Sequence, residues 1–522
     1  SALLDRDGAE PLRPVQHLLP APAQERWPLT PIQQGIYVQS HLDSTGKTYH
    51  MAGAFRLASP PDVPRLERAF QALIAQDPLL RTAFVSEPDG IFARVRPEAD
   101  FVLPIYAGRT LAEAAAPLLA PFRLDQPPLL RAALWEETPG RWVLLVNIHH
   151  IIGDGLTTPL LLSRLDELYQ GQTPLSQGLT YLDYAWHLAQ QARQPGRLDY
   201  WNRRLSPLPE ALELPGDFPR TRAFDFQGNT LSLPLDQALS RACGAFCAQR
   251  GISPYMFFLA AFGLLLSRLS GKEDLVVGAA AAGRLLPETR GMCGPFLNTL
   301  PLRLTPRRDQ SLDEYLDAVR DEVNGMLDHQ QAGLEEIASS LGLKRTLSQS
   351  PLYQVIFSQR PVDAASFMLD GAPMEYLPLP TGTARMDLWV ELYQEGDRYV
   401  FQLEYAKQLF LEETVRYYCR CLETIAASML RSADQPLEQL EALSPRDYME
   451  LIDTPNDTVC PFLNLPIPTQ FARQLVLDPE APAVVFHGVT TTRRELDRRA
   501  CQIANLLARA GAVPGCRVGI AL

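Results

Sequence analysis

Apolar and polar positions change rhythm repeatedly along this chain, and one stretch organises the rest. Residues 142–148 (WVLLVNI) form an apolar, β-branched run long enough for one buried strand. Gly153-Asp154-Gly155 breaks that run as a turn. Thr158 is placed to cap a helix, with Pro159 at its first position, where a missing N–H costs nothing. Leu161, Leu165 and Leu168 then recur at helical spacing, and Gly171 supplies a stop. Upstream, residues 29–37 read as a capped helix start. Residues 63–76 carry Leu66, Phe70, Leu73 and Ile74 on one helical face, and 79–84 enter a strand. Downstream the alternation resumes, with a strand at 230–235 and a helix at 239–250 closed by Gly251. A Ser253-capped helix at 254–269 leads to a buried strand at 274–279. Tyr353, Val355 and Phe357 alternate along another strand. A hairpin opens at Met386-Asp387-Leu388 and turns at Glu395-Gly396-Asp397, and a last helix covers 410–430.

Alternating strands and helices in both halves predict an α/β (α+β) protein, and 522 residues predict more than one folding unit. The 45 prolines fit a multi-lobed chain with many loops. Residues 1–27, rich in Pro, Ala and charge, read as a leader. Residues 205–228 read as a crossing loop, and 441–460 as a linker. The apolar run near 256–266 is too short to span a bilayer. A net charge of -12 with no long basic run argues against nucleic acid. The N-terminal stretch has no basic start and no apolar core, so no secretory signal is expected. Of 8 cysteines, only Cys243/Cys247 and Cys419/Cys421 are close pairs, and neither has a second pair nearby to complete a metal site. No metal, reduced thiols and a cytoplasmic location are the expectation.

The candidate chemistry sits where the organising strand ends. Successive strand side chains point to opposite faces, so His149 and His150 cannot share one task by adjacency. One is held against protein and the other is free to face a cavity. A neutral imidazole can accept or give a proton near physiological pH. The following helix turns its positive end back toward the turn, where it favours developing negative charge.

His149-His150, three residues, then Asp154-Gly155 resembles the signature of the condensation domains of nonribosomal peptide synthetases, in the superfamily of chloramphenicol acetyltransferase. Other segments follow in the family's order. Leu29 to Tyr37 resembles its opening helix, and Leu79 to Phe84 its second motif, with Asp77-Pro78 in place of the usual His-Glu. Tyr181 to Trp186 resembles the fourth motif, Gly294 to Thr299 the fifth, and Ser350 to Phe357 the seventh. The resemblance implies two acetyltransferase-like lobes, 28–195 and 196–440, forming a V-shaped pseudo-dimer with a tunnel between them. It also assigns roles. His150 faces the tunnel and acts on the amine, either as a base or by positioning it, and His149 orients within the core. Asp154 pairs with Arg284 and fixes the turn. The Gly155 N–H is a candidate oxyanion donor, and Asn298, Gln354 and Tyr37 border the tunnel.

Residues 461–522, with Thr491 to Leu496 and Gly511 to Gly515, resemble the beginning of an adenylation domain. The implied reaction is amide formation between an acyl thioester donor and an aminoacyl group on a carrier protein. No cofactor is covalently bound, and the substrates ride on phosphopantetheine or CoA. The expected partners are the downstream adenylation and peptidyl carrier domains and an acyl-CoA or acyl carrier protein. Gly155-Leu156-Thr157-Thr158 lacks the Trp-Ser common in elongation domains, which points to a starter domain that N-acylates the first amino acid. An elongation domain with a peptidyl donor, an epimerisation domain and a silent docking domain are the alternatives.

Overall fold

A computed structural model describes residues 17–107, 110–173, 178–191, 196–344, 346, 349–360, 367–431, 434–461 and 464–521. It divides into two units, Ser1–Pro445 and Arg446–Leu522. Residues 1–16 of the expected leader, and 192–195 at the expected boundary between lobes, lie outside the described residues.

The first lobe runs α1 (Pro31–Leu42), β1 (His50–Arg56), α2 (Val63–Gln76), β2 (Ile105–Ala107), β3 (Leu130–Thr138), β4 (Arg141–His149), α3 (Thr157–Tyr169) and α4 (Tyr181–Gln191). Thr30 and Gln33 close a capping box at the start of α1. Strand β4 lies between β1 and β3, buried from Val143 to His149 as its apolar run requires. A separate small sheet joins Trp27–Pro28, Gly90–Val95 and Thr82–Glu87. The end of the expected leader belongs to this lobe. Leu18 is buried, and the Ala21 N–H donates to Asp183 Oδ1 at 2.8 Å.

The second lobe runs β5 (Gly228–Pro234), α5 (Gln237–Arg250), α6 (Pro254–Ser270), β6 (Leu275–Ala281), β7 (Asn298–Leu304), α7 (Leu312–Asp328), β8 (Val355–Gln359), β9 (Glu375–Pro378), β10 (Leu388–Glu395), β11 (Arg398–Ala406) and α8 (Glu412–Met429). Six of its strands form one sheet in the order β7-β6-β8-β10-β11-β5, parallel only where β8 meets β6 and β10. Helix α6 is its central core element, with Phe257, Phe258 and Phe262 fully buried. Its N–H of Met256 is capped by Ser253, and Gly251 and Gly271 end α5 and α6 at φ 65° and 71°.

Strand β9 leaves its own lobe. It pairs antiparallel with β1 at the edge of the first lobe's sheet, giving the order β9-β1-β4-β3-β2. Arg56 on β1 binds Glu375 on β9 at 2.6 Å and Glu137 on β3 at 3.2 Å. Phe55, Phe367 and Tyr376 pack ring against ring beneath this seam. One strand of the second lobe thus completes the sheet of the first.

In the second unit, residues expected as a linker form helical turns at Pro445–Tyr448, Met449–Asp453 and Thr454–Asn456. A helix Ile467–Leu477, a hairpin of Pro482–Phe486 and Val489–Thr492, and a helix Arg493–Arg509 follow. No single helix among the described residues is long and apolar enough to cross a membrane.

Candidate active site

Three segments bear on the end of β4, the third through the charge of Arg385. The first is β4 itself, whose His149 stands opposite His50 of β1 in the ladder. The ladder ends there, and the His150 N–H is taken up by Tyr49 O at 2.8 Å. The chain then tightens into a 3₁₀ turn, His150–Ile152, so the two histidines leave the backbone in different surroundings.

His149 is 4% exposed and boxed by aromatic rings, including Phe122 edge-on at 5.8 Å. Its Nδ1 accepts the Ile151 N–H at 3.2 Å, which leaves the proton of the neutral ring on Nε2, 3.5 Å from Ser40 Oγ. Burial, and then the neighbouring His50 and His150, push its pKa far below the usual imidazole value. His149 is a neutral orienting residue of the core, fixed by its own turn.

His150 is half-buried. Dense packing around the ring lowers its pKa to about 4; the Arg385 charge adds to this, while Asp154 and the backbone of His150 and Gly153 oppose it. Its buried Nδ1 has no hydrogen-bond partner among the described residues. The ring is therefore neutral at pH 7, with a nitrogen lone pair or N–H not committed to the fold.

The second segment is the turn at Asp154, which is 1% exposed. Oδ1 accepts the N–H of Leu156 at 3.1 Å, the N–H of Thr157 at 3.0 Å and the Thr157 hydroxyl at 2.9 Å. Oδ2 accepts the N–H of Phe296 at 3.0 Å and of Leu297 at 3.2 Å. Arg284 Nη2 sits 3.1 Å from Oδ1, with both side chains almost fully buried. Arg284 also donates to the carbonyls of Thr289 and Met292, each at 2.6 Å, and lies 4.2 Å over the Phe296 ring. A carboxylate receiving this many hydrogen bonds beside a guanidinium has no free face for substrate. It ties the first lobe to the second.

The same carboxylate corrects the expected start of α3. The helix begins at Thr157, not after Thr158, and Asp154 caps it from three residues upstream. Pro159 then falls at the third helical position, where the N–H is also free of intrahelical bonding. Gly155, at the tip of the turn, is exposed, and its N–H has no partner among the described residues.

The third segment is the approach to β10 from the second lobe. Gln354, Arg385 and Met386, with Phe224 and Phe226 from the crossing loop, line a cavity of about 100 Å³. Gln39 and Leu42 from α1 complete it, so both lobes contribute. Of the three residues expected to border a tunnel, only Gln354 lines this cavity. The Asn298 amide donates to Gln330 O at 3.0 Å and Ala332 O at 2.7 Å, holding the chain after α7. Tyr37 packs its ring 4.4 Å from His41. Arg385, whose charge reaches His150, was missed from sequence. The available signal was a lone cation in the small, polar stretch before the hairpin, and nothing local tied it to a motif 230 residues away.

A two-lobed α/β fold with a shared sheet, meeting at a histidine-bearing strand end and a saturated aspartate, defines the chloramphenicol acetyltransferase-like class. The condensation domain model matches residues 23–452, and the chain belongs to that family, whose reaction is amide bond formation in nonribosomal peptide synthesis. It is 30% identical to surfactin synthase subunit 2 of Bacillus subtilis (strain 168) over 96% of this chain and 14% of that protein. It is 29% identical to tyrocidine synthase 3 of Brevibacillus parabrevis over 96% of this chain and 8% of that protein. The chain thus spans a minor part of these relatives. Among solved structures, a four-domain nonribosomal peptide synthetase bound to AMP and glycine matches with a TM-score of 0.80 at 21% identity, over 94% of this chain and 39% of that one. The starter condensation domain of rhizomide synthetase in complex with C8-CoA matches at 0.67 and 23% identity, over 80% and 98%. These two likenesses speak to the fold.

Proposed function

We propose that the chain joins an acyl thioester donor to an aminoacyl group carried on the phosphopantetheine of a carrier protein, with His150 as the residue that meets the reacting amine. The observation that carries this reading is a neutral, half-buried imidazole at a strand end, whose Nδ1 has no partner among the described residues and which feels the charge of Arg385 from the second lobe. The amine nitrogen attacks the thioester carbon, a tetrahedral oxyanion forms and the thiolate leaves. In this reading the Gly155 N–H, which the fold leaves uncommitted, is the donor to the negative charge that develops. With a pKa near 4, His150 is a weak base. Its main contribution is to accept a hydrogen bond from the uncharged amine and aim its lone pair, passing the proton onward as the thiolate departs. Positioning of this kind is worth several orders of magnitude in rate.

The donor in this reading is an acyl group from CoA or an acyl carrier, supported by Gly155-Leu156-Thr157-Thr158 after the histidine motif. Residues 461–522 are the start of an adenylation domain, supported by relatives that extend well beyond this chain. The test is to mix the protein with an acyl-CoA and an aminoacyl carrier protein and read the carrier's mass. An acyl increment that disappears with His150→Ala is expected. An increment seen only with a peptidyl carrier donor would replace the starter assignment, and no increment from either donor would overturn the enzymatic one.

A further inference from the structure

Gln354, which lines both the cavity between the lobes and an adjoining pocket with Leu212 and Val276, carries a polar atom that the amide-forming machinery does not use. Gln354 is 4% exposed. Its amide nitrogen donates to Ser350 O at 3.0 Å. Because a carbonyl can only accept, this bond fixes which end of the side chain is which. Oε1 is thereby turned the other way, buried, with no donor among the described residues, and Ser350 Oγ nearby has none either. A buried acceptor without a partner has an uncompensated desolvation cost, so such atoms persist where a ligand or water supplies the missing donor.

The surroundings restrict that donor. The wall is mixed: Leu42, Phe224, Phe226 and Met386 are apolar, whereas Gln39, Thr346 and Gln349 are neutral and polar, and the space of about 100 Å³ fits a side chain rather than a whole aminoacyl thioester. The charged groups at its rim are already paired. Asp387 is held by Arg220, with one contact at 3.0 Å. Arg385 bonds Glu404 at 3.4 Å and lies 3.9 Å over the Trp389 ring. A cation entering here would meet the Arg385 guanidinium, with the Asp387 carboxylate already taken by Arg220, and a carboxylate would bring lone pairs against Oε1. A neutral hydrogen-bond donor meets neither penalty.

We propose that Gln354 is a specificity-determining residue, and that this cavity takes a short substrate side chain or acyl branch carrying a neutral donor, a hydroxyl or a carboxamide. The inference rests on the amide-forming reading and names the substrate feature that the site selects. A site built to hydrogen-bond a substrate hydroxyl discriminates strongly against the isostere lacking it, because its own polar atom is then left unpaired.

The test uses isosteric pairs. Threonyl and valyl pantetheine thioesters probe the acceptor, and 3-hydroxyacyl and 3-methylacyl pantetheine thioesters probe the donor. Wild type is expected to favour the hydroxyl member of one pair by at least tenfold in kcat/KM. The affected pair says which substrate enters the cavity. Gln354→Met should reduce the preference to within twofold, and Leu42→Trp, from the opposite lobe, should lower kcat/KM for both members by filling the space. Equal use of both members of both pairs by an active wild-type enzyme would overturn the proposal. If no thioester turns over, the functional reading fails separately. The cavity is then judged by calorimetric affinity for the same ligands as non-hydrolysable amides, where a tenfold preference for hydroxyl supports it and equal affinities overturn it.

Discussion

At the scale of single residues, His149, His150 and Asp154 are adjacent in sequence but differ in how much of their bonding capacity the fold consumes. His149 and Asp154 are used up by the protein; His150 is not. His150→Ala should therefore reduce product formation by about 10²-fold or more and leave the melting temperature nearly unchanged, read by carrier mass and calorimetry on the same preparation. Asp154→Ala should do the reverse in emphasis. It leaves Arg284 buried without its partner, a loss of about 3–5 kcal/mol, and a melting temperature equal to wild type would refute the clamp. Acid should act through the histidines. His50 and His150 sit near pKa 4 and His149 well below its ordinary value, against about 6.5 when unfolded. Between those limits the unfolded chain binds more protons than the folded one, so stability falls as pH drops from about 6.5 toward 4. Urea midpoints at pH 7, 5.5 and 4.5 should decline in that order, and a flat series would contradict the burial of this cluster. The His-His turn and the Asp154–Arg284 pairing were legible because each rests on a short motif. Arg385 was not, since its relation to His150 exists only after two lobes assemble.

At the scale of elements, capping and turn residues were largely readable, because a cap is decided within four residues. Ser253, Gly251, Gly171 and Gly396 act where expected. The start of α3 departs from its expected place because Asp154, three residues upstream, outcompetes Thr158 for the free N–H groups. That carboxylate is itself held by the loop before β7, which comes from the other lobe. There Gly294 has φ 153°, and a Cβ would fall 2.0 Å from Tyr181. Gly155 has no such neighbour. Gly294→Ala should abolish soluble expression or shift melting sharply downward, whereas Gly155→Ala, which keeps the backbone N–H, should retain both folding and most of the turnover. Circular dichroism melts of the two variants side by side would decide this, and equal stability would mean that the loop yields more easily than its packing implies.

For the molecule as a whole, local pattern revealed two α/β halves but could not reveal that they exchange a strand. Hydrophobic periodicity reports which residues are buried, not which partner buries them. Residues Glu375–Pro378 pair with His50–Arg56 across more than 300 residues of sequence, and four residues of alternating character carry no signal of that partner. The exchange has a consequence for folding. Without β9, strand β1 becomes an open edge, with Phe55 stripped of Phe367 and Tyr376 and Arg56 stripped of Glu375. Unpaired edges of this kind recruit other chains. Separate expression of residues 17–206 should yield aggregate or a species with no cooperative unfolding, although the segment contains its own core. Co-expression with residues 207–445 should restore a soluble complex, because the second fragment supplies both β9 and Arg284. A monomeric, cooperatively folded first fragment would show instead that the lobes are stable independently, and that the shared strand serves only to hold one lobe in register with the other.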